Sequence, residues 1–261
     1  MLCVLDLDGV VWLAGNPIEG SPEAVTRLRE AGVSVVFVTN NSAPTVVDYV
    51  GRLGRAGVEA DPSELATSAQ AAATLVKPEE RVSVIGGPGL FEAVTSTGAK
   101  LVEADADPDT VVVGRTVELD FGRLSSACAA LRRGARFVAA NDDATFPTPN
   151  GLEPGAGALV AFLEVASGRR AEVAGKPNQA MANLVRSRHG VPDLVIGDSP
   201  RTDGRFAAAL GAPFALVLSG VTAKKDLPVE PTPEIVAADA AEAVEVFLRT
   251  GRGHDERPAK Q

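Results

Sequence analysis

Cys3-Val4-Leu5-Asp6-Leu7-Asp8-Gly9-Val10 is an apolar run closed by two aspartates one residue apart and then a glycine. A short continuous apolar run of this kind reads as a parallel strand buried on both faces. Period-2 alternation puts both carboxylates on one side of that strand. Two unpaired carboxylates so close repel each other, and protonation relieves the conflict only if a pKa rises. A bound cation or a shared catalytic proton also relieves it. The stretch therefore points to a metal-assisted or acid/base site at the end of the first strand.

Outward from this strand, helix and strand signals alternate, which predicts an α/β fold. Ser21-Pro22-Glu23 reads as a helix start with serine as N-cap and proline at the first helical position. Val25 and Leu28 form its buried face and Gly32 ends it. Val33 to Val38 is a second buried strand that runs into Thr39-Asn40-Asn41-Ser42. Asp61-Pro62-Ser63-Glu64 has the spacing of a capping box and predicts another helix. From Arg81 the pattern begins again, with strands at 82–85, 110–113 and 137–139 and helices after Gly89 and over 121–132. Asn141-Asp142-Asp143 and a Pro/Gly-rich loop lead to a helix around 159–165. Ala174-Gly175-Lys176-Pro177, a helix, the strand 194–196, Gly197-Asp198 and the strand 214–218 follow. This organisation predicts a doubly wound core, 1–80 and 173–250, interrupted by an inserted second domain, 81–172. The polar stretch 251–261 is expected to fray.

Composition narrows the partners. Of 261 residues, 25 are Lys or Arg and 34 are Asp or Glu, a net charge of −9, which argues against a nucleic-acid surface. An anionic substrate stays open, because local charge decides that. Cys3 and Cys128 are the only cysteines and do not read as a disulfide framework. No apolar run approaches a membrane span. The expected setting is a cytoplasmic protein without membrane or nucleic-acid partners.

Three predicted core strands end in polar residues: Asp6/Asp8, Thr39/Asn40 and Asp198. Ligands of open parallel sheets bind at such carboxyl ends. Hard carboxylate oxygens suit Mg²⁺, and Gly9 permits close backbone approach to a ligand. Thr39, Asn40 and the backbone around them can hold phosphoryl oxygens without adding charge, and Lys176 can meet a phosphate as a point charge. Asp198 supplies a third acid for the metal, and Asp203 stands behind it or reaches the metal through a water. Taken one at a time, each motif has a plainer reading: capping acids, a helix N-cap at Thr39, a solvated lysine. Gly86-Gly87-Pro88-Gly89 fits neither nucleotide-loop pattern and reads as turn chemistry. His189 and His254 offer no histidine-based phosphoryl transfer or Ser-His-Asp site, and Cys128 sits in a helix pattern, away from any anion-binding loop.

In their order along the chain, Asp6-Leu7-Asp8-Gly9-Val10, Thr39, Lys176 and Asp198 with Asp203 resemble the four motifs of the haloacid dehalogenase superfamily. The large insertion between the second and third motifs resembles the type 2a cap. The resemblance points to the subfamily IIA branch, which contains the NagD-type, 4-nitrophenyl, phosphoglycolate, glycerol-phosphate and pyridoxal phosphatases. The resemblance extends to Asn141-Asp142-Asp143, Pro147 and Pro154-Gly155-Ala156-Gly157. It implies a Rossmann-like core with a cap, and a Mg²⁺-dependent phosphatase acting through an aspartyl-phosphate. It implies Asp6 as nucleophile and Asp8 as acid/base. It implies metal ligation by the Asp6 and Asp198 carboxylates and the Asp8 backbone carbonyl, with Asp203 behind them. Thr39, the Asn40 N–H and Lys176 would hold the phosphoryl group, and Asn141 and Asp143 would face substrate from the cap loop. It also implies a homodimer through the cap. Candidate substrates are glycerol phosphate, phosphoglycolate, nitrophenyl phosphate, pyridoxal phosphate, sugar phosphates and nucleotides. Ser199-Pro200 departs from the Arg-Leu or Asn-Leu that often follows the motif-four aspartate. A phosphotransferase of the same superfamily and a phospho-aspartate signalling module are the alternatives. The second has adjacent acids, a mid-chain phosphorylated aspartate and about half this length.

Overall fold

The apolar runs form the strands they predict, and the elements alternate along the chain. The computed structural model describes residues 1–250, so the tail expected to fray, 251–261, lies outside the described residues. In chain order the first elements are β1 (Leu2–Asp6), β2 (Trp12–Leu13), β3 (Asn16–Pro17), α1 (Ser21–Glu30), β4 (Ser34–Thr39), α2 (Val46–Arg55), β5 (Leu65–Thr67) and α3 (Ser68–Ala73). Then come β6 (Arg81–Ile85), α4 (Pro88–Thr95), β7 (Lys100–Leu101), β8 (Thr110–Val113), α5 (Phe121–Arg133), β9 (Arg136–Ala139), β10 (Thr145–Thr148), β11 (Gly151–Pro154), α6 (Ala156–Ser167) and β12 (Glu172–Val173). The chain continues through α7 (Gln179–His189), β13 (Leu194–Gly197), α8 (Arg205–Leu210), β14 (Phe214–Val217), β15 (Ile235–Ala237) and α9 (Ala240–Thr250).

These elements fall into two compact units. The first comprises Met1–Val38, Leu53–Ala60 and the described residues from Arg186 onward. Its parallel strands run in the order β15-β14-β13-β1-β4. After β1 the chain adds β4 on one side, and it later returns to place β13 on the other. The β1/β13 boundary is thus a topological switch point, where open α/β sheets hold ligands. Cys3, Val4 and Leu5 pair with Leu194, Val195 and Ile196, which brings the two strand ends level.

The second unit comprises Thr39–Arg52 and Asp61–Val185. It contains the whole predicted insertion, 81–172, and adds flanking segments, among them α3, which packs against α4. Its parallel sheet has the order β12-β9-β8-β6-β7. Helix α5 is capped at its start by Asp120, whose side chain accepts from the Arg123 N–H, and at its end by Gly134 in the left-handed region. Helix α6 presents Ala156, Val160 and Leu163, spaced for one buried face. Val160 and Leu163 meet Val111, Val113, Leu131 and Phe137 in one apolar core.

Four local expectations are corrected. Strand β1 ends at Asp6, so Asp8 lies in the turn beyond it and its direction is not set by the pleat. Ser21 is the first helical residue rather than the cap; Gly20 takes the N-cap position in the left-handed region, and the Ser21 hydroxyl donates to the Val10 carbonyl. The capping box of Asp61 and Glu64 forms, but it closes only a three-residue 3₁₀ turn before β5. The Pro/Gly-rich loop after Asp143 contains the antiparallel hairpin β10-β11. A two-stranded ribbon has only edges, so Pro147 and Pro154 cost it no interior hydrogen bond.

Leu163 is fully buried in the second unit's core. Leu163→Ala should destabilise the protein by about 2–5 kcal/mol, measured as a lowered urea midpoint with the parallel-sheet circular dichroism retained at zero urea.

Candidate active site

The switch point of the first unit gathers acids. Asp6 ends β1, Asp198 directly follows β13, and Asp203 lies in a π-type turn over Pro200–Gly204. One carboxylate oxygen from each lies within 4.8 Å of the other two. Asp198 and Asp203 are buried, whereas Asp6 is partly exposed. Such a group of hard oxygen donors, two of them shielded from water, fits a divalent cation such as Mg²⁺.

Local chain geometry holds these acids. The Val221 N–H donates to Asp198 Oδ2 at 2.7 Å, and the Thr222 hydroxyl donates to the Asp198 carbonyl at 2.6 Å. A β-carbon at Gly9 or Gly220 would collide with the Asp198 carboxylate, and Gly9 also has φ +81°. Glycine is therefore required at both places. Gly197 has no room for a β-carbon against Asp203. The Ser199-Pro200 departure has a structural account here: Ser199 opens the turn, its carbonyl accepts from the Asp203 N–H at 2.8 Å, and its own N–H donates to Asp203 Oδ2 at 3.1 Å.

Asp8 is held differently. The N–H groups of Val11 and Trp12 both donate to the Leu7 carbonyl, at 2.9 and 3.1 Å, so the chain turns back on itself at once. The Trp12 indole N–H then donates to Asp8 Oδ1 at 3.1 Å. The Asp8 carboxylate is not one of the three clustered acids. Its expected metal contact is a backbone carbonyl.

The second unit assembles the other expected residues around one amide. The Asn40 side chain accepts from the Lys176 N–H at 2.8 Å and donates to the Lys176 carbonyl at 3.1 Å. It also donates to Asp143 Oδ2 at 2.9 Å. The Asn40 carbonyl accepts from the Asn141 side chain at 2.6 Å and from the Ser68 hydroxyl. Thr39 is buried, and its hydroxyl accepts from the Asn41 N–H at 3.1 Å. Lys176 is only 2 % exposed, which removes the reading as a solvated surface lysine. A β-carbon at Gly175 would strike the Ala140 carbonyl and the Asn40 amide, so glycine allows these segments to close up. Asn141 and Asp143, expected to face substrate, both bind Asn40.

Thiol chemistry is disfavoured. Both cysteines are buried and unpaired. Burial, reinforced by the Asp193 charge, pushes the Cys3 thiol far above its ordinary range. Burial also raises the Cys128 thiol, against a smaller lowering by Arg132. Neither is poised as a thiolate nucleophile.

Residues 3–100 match the haloacid dehalogenase-like hydrolase family, and residues 173–243 match a HAD-hydrolase-like family. The chain is 35 % identical to the D-glycerol 3-phosphate phosphatase of Mycobacterium tuberculosis, over 99 % of this chain and 70 % of that protein. This chain belongs to the haloacid dehalogenase-like hydrolases. Within them it is a subfamily IIA phosphatase. It is also 32 % identical to the dihydroxyacetone phosphatase of Corynebacterium glutamicum, over 87 % of this chain and 85 % of that one. The crystal structure of glycerol phosphate phosphatase from Mycobacterium tuberculosis in complex with magnesium superposes with a TM-score of 0.87 at 35 % identity, covering 93 % of this chain and 75 % of that one.

Trp12 and the segment Ser219-Gly220-Val221-Thr222 escaped the sequence reading. The second had a usable signal, since it is another polar stretch directly beyond a predicted core strand. Trp12 had none beyond its proximity to Asp8.

Gly9→Ala forces a β-carbon toward Asp198 and should weaken Mg²⁺ binding at least about tenfold, since a 1.4 kcal/mol disturbance suffices. Calorimetric titration with Mg²⁺ checks this, with circular dichroism confirming the fold.

Proposed function

We propose that this chain is a Mg²⁺-dependent phosphatase that hydrolyses a small phosphomonoester, with a three-carbon phosphate as the leading candidate. The carboxylate group of Asp6, Asp198 and Asp203 at the β1/β13 switch point carries the reading. The relatives named for glycerol 3-phosphate and for dihydroxyacetone support the substrate size. Residues 81–172 are read as the cap, inserted between core segments 1–80 and 173–250.

In this reading the Asp6 carboxylate attacks phosphorus in line and an aspartyl-phosphate forms, so one hard step becomes two easier ones. Asp8 gives a proton to the departing oxygen and then takes one from the attacking water. The Thr39 hydroxyl, the Asn40 N–H and the Lys176 ammonium hold the phosphoryl oxygens, where fixed donors do most of the work of phosphoryl transfer. Asn141 and Asp143 serve by holding Asn40, and so the loop that holds the phosphoryl group. The Asp6 and Asp198 carboxylates and the Asp8 carbonyl would hold Mg²⁺, with Asp203 behind them. When bound, the ion offsets the negative charge of the phosphoryl oxygens and the nucleophile.

The protein is read as cytoplasmic and without nucleic-acid or membrane partners. Its net charge of −9 and two unpaired cysteines support this. Among the described residues no helix is long and apolar enough to cross a membrane. We also infer a homodimer formed through the second unit, which exposes Val117, Leu119, Phe121, Leu152 and Val165. Several large exposed apolar side chains in one unit are what a partner surface needs.

Asp6→Asn should lower turnover of glycerol phosphate by at least about 10⁴-fold, with Mg²⁺ binding measurable and the melting temperature little changed. Phosphate release near the wild-type rate would overturn the role of Asp6. Sedimentation at micromolar concentration should give twice the chain mass, and Phe121→Asp with Leu119→Asp should give the monomer. A wild-type monomer at every concentration would remove the dimer.

A further inference from the structure

We propose that Trp12 is a positioning residue that aims the proton of Asp8 at the leaving oxygen. The inference rests on Asp8 being the proton donor. Its observation is the 3.1 Å hydrogen bond from the Trp12 indole N–H to Asp8 Oδ1. Trp12 is 6 % exposed, and it is the only tryptophan in the chain.

The main chain that carries the indole is held from several directions. Trp12 pairs with Pro17 in the β2-β3 ribbon and forms an isolated bridge with Asp8. Its carbonyl accepts from the Gly9 N–H at 2.6 Å. The preceding turn is pinned where the Ser21 hydroxyl meets the Val10 carbonyl and the Ser219 hydroxyl meets the Gly9 carbonyl. The donor therefore cannot easily follow Asp8 if that side chain rotates. The terminal torsion of an aspartate is broad, and a fixed donor on one oxygen removes that freedom.

The identity of the donor matters. A carboxyl group holds its proton on one oxygen, and an N–H aimed at Oδ1 makes Oδ1 the accepting oxygen. The proton to be delivered then resides on Oδ2. The indole N–H only donates, whereas a tyrosine or serine hydroxyl could also accept the Asp8 proton and divert it. Trp12 can hold Asp8 before and after proton transfer without competing for the proton.

A misaimed proton donor hurts poor leaving groups most, whereas lost packing hurts all substrates alike. The experiment measures kcat/KM on a series from 2,4-dinitrophenyl phosphate through 4-nitrophenyl and phenyl phosphate to glycerol phosphate, in saturating Mg²⁺. Trp12→Phe keeps an aromatic ring and removes the N–H. It should lose about 10- to 100-fold on glycerol phosphate, within the range that general acid catalysis supplies, and much less on the dinitrophenyl ester. Benzothienylalanine at position 12 keeps the two-ring shape, removes only the N–H, and should show the same slope. It decides the matter if Trp12→Phe folds poorly. Asp8→Asn, run in parallel, should show a still steeper dependence. A steep Asp8→Asn series with a uniform or absent loss in both position-12 variants would overturn the role of Trp12 and leave Asp8 as donor. A flat Asp8→Asn series would overturn the reading of Asp8 itself, and the Trp12 proposal with it.

Discussion

Repulsion among three carboxylates is the constraint around which the first unit is arranged. Two unit charges 4.8 Å apart oppose each other by about 3 kcal/mol at an effective dielectric constant near 20. Asp6, Asp198 and Asp203 form three such pairs. Nothing in ordinary packing favours this, so the surrounding chain is shaped to tolerate it. Glycines at 9, 197 and 220 make room for the carboxylates, and the N–H groups of Val221 and Ser199 donate to them. A cation turns the same repulsion into affinity. The strand order places the group where the chain reverses direction across the sheet, so no helix connection has to pass over it.

The second unit solves a different problem, that of keeping three chain segments in register. Loop residues near 40, 143 and 176 come from distant parts of the sequence, and the single carboxamide of Asn40 joins them. An amide suits this task because it carries both donors and an acceptor and no charge. A charged side chain in its place would alter the electrostatics of the loop while it organised it.

Elements whose physics is local were legible in the sequence. The β8 run Thr110–Val113 and the β13 run from Leu194 read correctly because strands buried on both faces are uninterrupted apolar runs. Asp6, Thr39 and Asp198 drew notice because each directly follows, or ends, such a run, and Lys176 because it stands between Gly175 and Pro177. What depended on partners far along the chain did not show. The Ser21 hydroxyl left its expected cap for the Val10 carbonyl. The Asp61 box closed a turn with no apolar helical face behind it. The β10-β11 ribbon was masked by prolines, whose exclusion from strands applies to sheet interiors. Asp8 was placed on the pleat, although the strand had already ended and an indole four residues on held its carboxylate.

The grip of Asn40 on Lys176 has a consequence of its own. Asn40 engages only the main chain of Lys176, through its N–H and its carbonyl. The position of that residue and the charge it carries are thus specified by different atoms. Altering the ammonium leaves the two main-chain contacts in place, whereas altering Asn40 loosens the backbone and leaves the charge untouched. Scaffold and electrostatics are separable at a single residue, which makes position 176 a clean site for chemical substitution in a phosphatase of this kind.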